Sequence, residues 1–282
     1  MYRLLNKKCV LVLAFAVLAG KATADNQDDS SSWWSQIPEY KPPEIQQLEA
    51  ELLWTLPARE AVQGAAVDGE YIYAVANFVL GKYKREDKER VDAWTGQRGG
   101  LIKHLNSCVA TGNAQLVCAH SNFPELPMAS SIEIFDTENM MHSGSHSLGF
   151  ALGSLTWVEQ QEESWWDGFA HYEGKGGEPD RPSQYASVAR YYDKWRLTEK
   201  WLLPESVIDR LSPHAASGGS IGPDGLLYLT GHDRREMYVL DFPDRGSYLV
   251  HLATIAIDIA GQAFSWDRSS RELVVVGINR PD

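Results

Sequence analysis

Residues 217–232, SGGSIGPDGLLYLTGH, decide the fold. Two short apolar runs flank Pro223-Asp224-Gly225, a tight-turn signal, so the segment reads as a β-hairpin whose second strand ends on a polar residue, His232. The same ending recurs outward along the chain: YAVAN to Asn77, LVCAH to His120, GFAH to His171 and VVVGIN to Asn279. From Asn77 through His120, His171 and His232 to Asn279 the spacings are 43, 51, 61 and 47 residues, which is the length of a four-stranded propeller blade plus insertions. The pattern predicts an all-β chain forming a five-bladed β-propeller of mostly four-stranded blades, and the variable spacing leaves room for a sixth.

The last unit holds only two strand patterns before the chain ends. Leu52-Leu53-Trp54-Thr55-Leu56, ahead of the first blade, is the expected supplier of a missing outer strand. A ring closed in this way by the N-terminal strand removes the edges an open sheet would expose. Asp68, Asp224 and Asp267 stand between first and second strands and read as turn residues.

The N-terminus reads differently. Lys7 and Lys8 precede an apolar run from Cys9 to Ala19 and a small-residue site, Ala22-Thr23-Ala24, the pattern of a secretory signal peptide over residues 1–24. Residues 25–45 are a polar, Pro-containing leader, and residues 46–282 are the propeller domain. The mature protein is therefore expected to be exported, to the periplasm or the exterior, without a membrane anchor. Cys108 and Cys118 flank the turn Thr111-Gly112-Asn113, where a cross-strand disulfide fits an oxidising compartment.

Charge excludes some partners. The chain carries 26 basic and 38 acidic residues, and four of the basic ones lie in the signal segment. So acidic a surface repels nucleic acid and anionic membrane. A small-molecule or saccharide substrate fits better, and the composition leaves the oligomeric state open.

In a propeller the start of each inner strand and the end of the second strand share one face of the ring. His104, His120, His171 and His232 fall at such places, with His146 and His214 in segments expected to feed the next blade on that face. Several neutral imidazoles held by a rigid scaffold suit a divalent transition metal, Zn, Fe, Cu or Mn. The expected ligands are His120, His171 and His232, then His104 and His146. Asn77, Asn106, Asn122, Asn279, Gln63 and Gln262 are candidates to orient substrate. His171-Tyr172 and His232-Asp233 are candidate catalytic pairs, provided the chain has left the strand and turned, since neighbours within a strand face opposite ways. Such a site would work by metal-assisted hydrolysis or elimination on a small or sugar-derived molecule.

Other readings compete. A strand-end histidine or asparagine can simply hydrogen-bond the next blade. A glycosidase would need opposed carboxylates, available as Glu125, Glu173 and Asp233, with Trp157, Trp165 and Trp166 as sugar-stacking faces. A non-catalytic module that binds a partner through its loops, such as the Gly- and Pro-rich insertion 172–183, is the alternative to an enzyme.

The turns of SGGSIGPDGLLYLTGHD and the repeated strand endings resemble the secreted propellers of the lactonase, strictosidine-synthase and glutaminyl-cyclase type, over Gln63 to Asn279. That resemblance implies an axial site, often metal-assisted. Calcium sites in those families use Glu, Asn and Asp, and this histidine-rich mouth departs from them.

Overall fold

The computed structural model describes residues 33–150, 152–259, 261–270 and 273–279. The expected signal peptide and the start of the leader, residues 25–32, lie outside the described residues. Residues 42–282 form one compact unit.

Short runs, most of them rich in apolar residues and broken by Asp-Gly and other Gly-containing turns, fold as hairpins. Strand β1 (Gln46–Glu49) precedes four antiparallel sheets. Blade 1 contains β2 (Gly64–Val67), β3 (Tyr71–Ala76), β4 (Val79–Lys84) and β5 (Arg90–Thr95). Blade 2 contains β6 (His104–Thr111), β7 (Gln115–Ser121), β8 (Ser130–Asp136) and β9 (Met141–Gly149). Blade 3 contains β10 (Ser154–Gln161), β11 (Ser164–Ala170), β12 (Ser187–Tyr192) and β13 (Arg196–Leu202). A short helix, α1 (Glu205–Leu211), leads to blade 4: β14 (Gly218–Ile221), β15 (Leu227–Thr230), β16 (Glu236–Asp241) and β17 (Val250–Ala256). Strands β18 (Phe264–Trp266) and β19 (Val275–Gly277) form a two-stranded sheet.

This is an all-β propeller. The inner strands pack in chain order, β2 beside β6, β6 beside β10, β10 beside β14 and β14 beside β18, and β18 returns to β2. The hydrophobic core is accordingly divided into layers between facing sheets. Trp157, Val188 and Trp201 of blade 3 meet Leu227, Leu229 and Tyr238 of blade 4. Tyr73 and Leu80 of blade 1 meet Leu116 and Phe135 of blade 2.

Closure differs from the sequence expectation. Leu52 to Leu56 form no strand, and the N-terminal strand is instead Gln46–Glu49, which adds in parallel to β17 at the outer edge of blade 4. The two-stranded sheet gains no strand from it. That sheet is joined to blade 1 by other means. The Ala263 amide donates to the Gln63 carbonyl at 3.0 Å, and Arg85 grips Asp267 with two nitrogens, at 3.1 and 2.5 Å. Cys108 and Cys118, directly paired across β6 and β7, form the expected disulfide. The turn aspartates also do their expected work: Asp68 accepts the amides of Glu70 and Tyr71, and Asp224 that of Leu226.

Burial pushes the Asp267 carboxyl up, but hydrogen bonds from Arg85 and Ser269 outweigh it and hold the group below its ordinary range. A depressed folded pKa stabilises the native state above the unfolded value near 4, and this contribution disappears as pH falls through the folded value. Arg85→Ala leaves a carboxylate whose side chain is 5% exposed without its cation. The expected cost is about 3 kcal/mol at neutral pH, with a flatter acid limb, measured by urea denaturation at pH 7 and pH 3.

Candidate functional site

Register builds the mouth. Gly64 lies opposite Val75, His104 opposite Ser121, Ser154 opposite Ala170, Gly218 opposite Thr230 and Phe264 opposite Gly277, so each inner strand starts beside the end of its second strand. Strand β15 ends at Thr230, and the chain bends before His232 and Asp233. The two residues are thus free of strand alternation. Gly261, at φ +54°, presses on this bend: a Cβ there would stand 1.8 Å from the His232 carbonyl oxygen, which only glycine avoids. His214 arrives from the connection between α1 and β14.

Asp233 joins the two imidazoles. Its Oδ2 is 2.7 Å from His214 Nδ1 and its Oδ1 is 2.7 Å from His232 Nδ1. An ionised carboxylate only accepts, so both Nδ1 atoms carry the proton and donate, and neither Nε2 is engaged by this carboxylate. The rings stack with centroids 4.1 Å apart. Burial pushes Asp233 up, but the hydrogen bonds from His232 and His214 prevail and hold it below the usual carboxylate range. The three side chains remain 36 to 46% exposed. One donor atom from each lies within 4.8 Å of the other two, the sole such group of histidine, cysteine or acidic side chains among the described residues.

The other expected ligands do not join this cluster. Strand β6 has a bulge between Leu105 and Cys108, and His120 pairs with Leu105 one residue short of the strand end. Its Nε2 accepts the Lys103 amide at 2.9 Å and its Nδ1 donates to Ser131 Oγ at 2.8 Å, so no nitrogen is left for a metal. His146 is not at the mouth. Strand β9 runs on to Gly149, which places His146 inside the outermost strand of blade 2, opposite Ile132, with its ring stacked on Trp195. His171 is buried, and its Nε2 donates to the Leu152 carbonyl at 3.1 Å. The His104 ring packs against Phe123, which packs against Tyr172.

The catalytic and substrate-orienting candidates separate similarly. Tyr172 donates to Ser154 Oγ at 3.2 Å, and burial pushes its hydroxyl up to about 12. Gln63 donates to the Asn77 side chain at 2.8 Å, a polar pair at the mouth of blade 1. Asn279 donates to Asp258. Asn106 spends its amide on the Leu155 carbonyl of blade 3, Asn122 braces the loop to Ala129, and Gln262 is buried with its carbonyl accepting from Thr230. Glu125 pairs with Lys103 and Glu173 accepts from Ser183, while Trp157 is core and Trp165 and Trp166 sit at the end of β11 away from the mouth. The Glu173 amide reaches the Pro213 carbonyl, tying the blade 3 loop to the residue before His214.

No protein-family model matches the sequence, and no curated protein does. Solved structures do match. The glutaminyl cyclase of Myxococcus xanthus aligns with a TM-score of 0.54 at 10% identity, covering 83% of this chain and 94% of that one. In fold, the chain resembles the glutaminyl-cyclase propeller. A luciferin-regenerating enzyme aligns at 0.43 and 10% identity, over 73% of this chain and 79% of that one. The WD40 repeats of RRP9 align at 0.43 and 12%, over 73% and 69%. At 10% identity the likeness to the glutaminyl cyclase speaks for the fold alone, so function has to be argued from the site.

In metal-free protein, long-range ¹H–¹⁵N spectra should show His214 and His232 as Nδ1–H tautomers. Asp233→Asn should release both into the mixture an unconstrained neutral imidazole adopts.

Proposed function

We propose that this chain is an exported, five-bladed propeller enzyme, the β18–β19 sheet serving as the fifth blade. It holds a divalent transition metal, Zn, Fe, Cu or Mn, at the mouth through His214, His232 and Asp233. It acts by hydrolysis or elimination on a small or sugar-derived molecule. The observation that carries the reading is the gathering of two imidazoles and one carboxylate from two separate connections, with donor atoms within 4.8 Å and open to solvent. Two histidines and a carboxylate form a recurring ligand set that leaves positions open for water and substrate.

A metal there would supply Lewis acidity or a bound water of lowered pKa. The chain's own residues then bind and orient. Gln63 and Asn77 offer amide groups at the rim, and the blade 3 loop is fastened beside His214 by the Glu173 amide on the Pro213 carbonyl. Tyr172, held to Ser154, keeps its proton at neutral pH and offers a fixed hydroxyl rather than an acid. Export is supported by the signal-type N-terminus and by the Cys108–Cys118 disulfide, a bond uncommon in reducing compartments.

Elemental analysis of the mature protein, purified without a His tag, tests the reading. Near-stoichiometric metal is expected, absent from a His214→Ala/His232→Ala double variant and weakened in Asp233→Asn, which loses the one charged ligand. Failure to take up any of the four metals on reconstitution would instead support a non-catalytic binding module.

A further inference from the structure

A cavity of about 280 Å³ lies between blades 2 and 3, away from the mouth cluster, lined by His146, Leu148, Leu152, Phe169, Tyr191 and Trp195 among others. Its aromatic wall is held by an unusual backbone. Lys194 and Trp195 are consecutive left-handed residues, at φ +55° and +58°, a conformation that side-chain-bearing residues seldom adopt. Trp195 is thereby set against Trp165 at 4.9 Å and Tyr191 at 5.9 Å and stacked on His146 at 5.8 Å.

Beside this wall stands a carboxyl group that the fold does not use. Alternation along β11 puts Trp165, Asp167 and Phe169 on one face of blade 3. Asp167 is wholly buried between a wall residue, Phe169, and Trp165, and neither of its oxygens has a hydrogen-bond partner. Ser187 Oγ, opposite Phe169, and His171 Nδ1, next along the same face, are buried and unpartnered too. Lys200, across Ala189 from Asp167, forms no hydrogen bond with it. Burial pushes the Asp167 carboxyl well above its ordinary range. Buried polar groups in native proteins are almost always paired, so three unpartnered ones on the face of blade 3 that carries the cavity residues Phe169 and Tyr191, one layer behind the lining, set this cavity apart.

We propose that this inter-blade cavity binds a small organic ammonium ion. Aromatic faces attract a cation, and the unpaired Asp167 behind the wall, kept protonated by burial when alone, would ionise against it and release its proton. No lysine or arginine lines the cavity to oppose entry. The surplus of 38 acidic over 26 basic residues raises the local concentration of cations.

The test titrates choline, and its neutral isostere 3,3-dimethylbutan-1-ol, into the mature chain, followed by calorimetry and tryptophan fluorescence. Choline should bind saturably at one site and about tenfold more tightly than the alcohol. Trp195→Ala and Asp167→Asn should each weaken choline by about tenfold, while His214→Ala/His232→Ala leaves it unchanged. Absence of saturable choline binding, equal binding of the alcohol, or undiminished binding in Trp195→Ala overturns the proposal. Trp195 lies on a turn and is partly exposed, so that variant remains decisive should Asp167→Asn fail to fold.

Discussion

A propeller stands or falls on the meeting of its last sheet with its first. Here the junction has little sheet to work with, because β18 and β19 contribute three residues each. Close backbone approach substitutes for area. A Cβ on Gly64 would come within 2.8 Å of the Ala263 side chain, and one on Gly218 within 2.5 Å of the Ala263 backbone, so the inner strands on both sides of Ala263 have to be glycine at these points. The Arg85 and Asp267 pair clamps the periphery of the same junction, with Ser269 as a further acceptor for Arg85. An exposed ion pair would contribute little, but Asp267 is buried and bound at both oxygens.

The mouth inherits its order from that closure. Gly261, two residues before Ala263, touches the carbonyl of His232 and so couples the sheet that closes the ring to the bend carrying the histidine–aspartate cluster. Asp233 then organises two imidazoles through one carboxylate, and the loop from blade 3 reaches the segment of His214 through a backbone hydrogen bond. Cluster and closure are parts of one constraint. The cavity between blades 2 and 3 depends on it far less, since its walls belong to two complete blades.

Much of this was legible in the residues. The strand endings, the Asp-Gly turns and the cysteine pair are local signals, and the structure realises them locally. Register was not legible. His120 ends up as a buried link between Lys103 and Ser131, contacts that come from the neighbouring chain segments and leave no mark in its own strand pattern. His146 was displaced because β9 is longer than its polar pattern suggests. Gln46–Glu49 is exposed throughout and has a single apolar residue, Leu48, so nothing in its pattern announces a strand. His214 could be placed at the mouth from its position before blade 4, but its pairing with Asp233 is a property of two loops and has no sequence period.

The most direct measurement is anomalous diffraction from a crystal of the mature protein soaked with zinc. The account predicts one strong peak within bonding distance of His214, His232 and Asp233, where about 2.0–2.2 Å separates zinc from nitrogen or carboxylate oxygen. A mouth without a peak, or a peak at His171 or His146 with the cluster intact and empty, would contradict it.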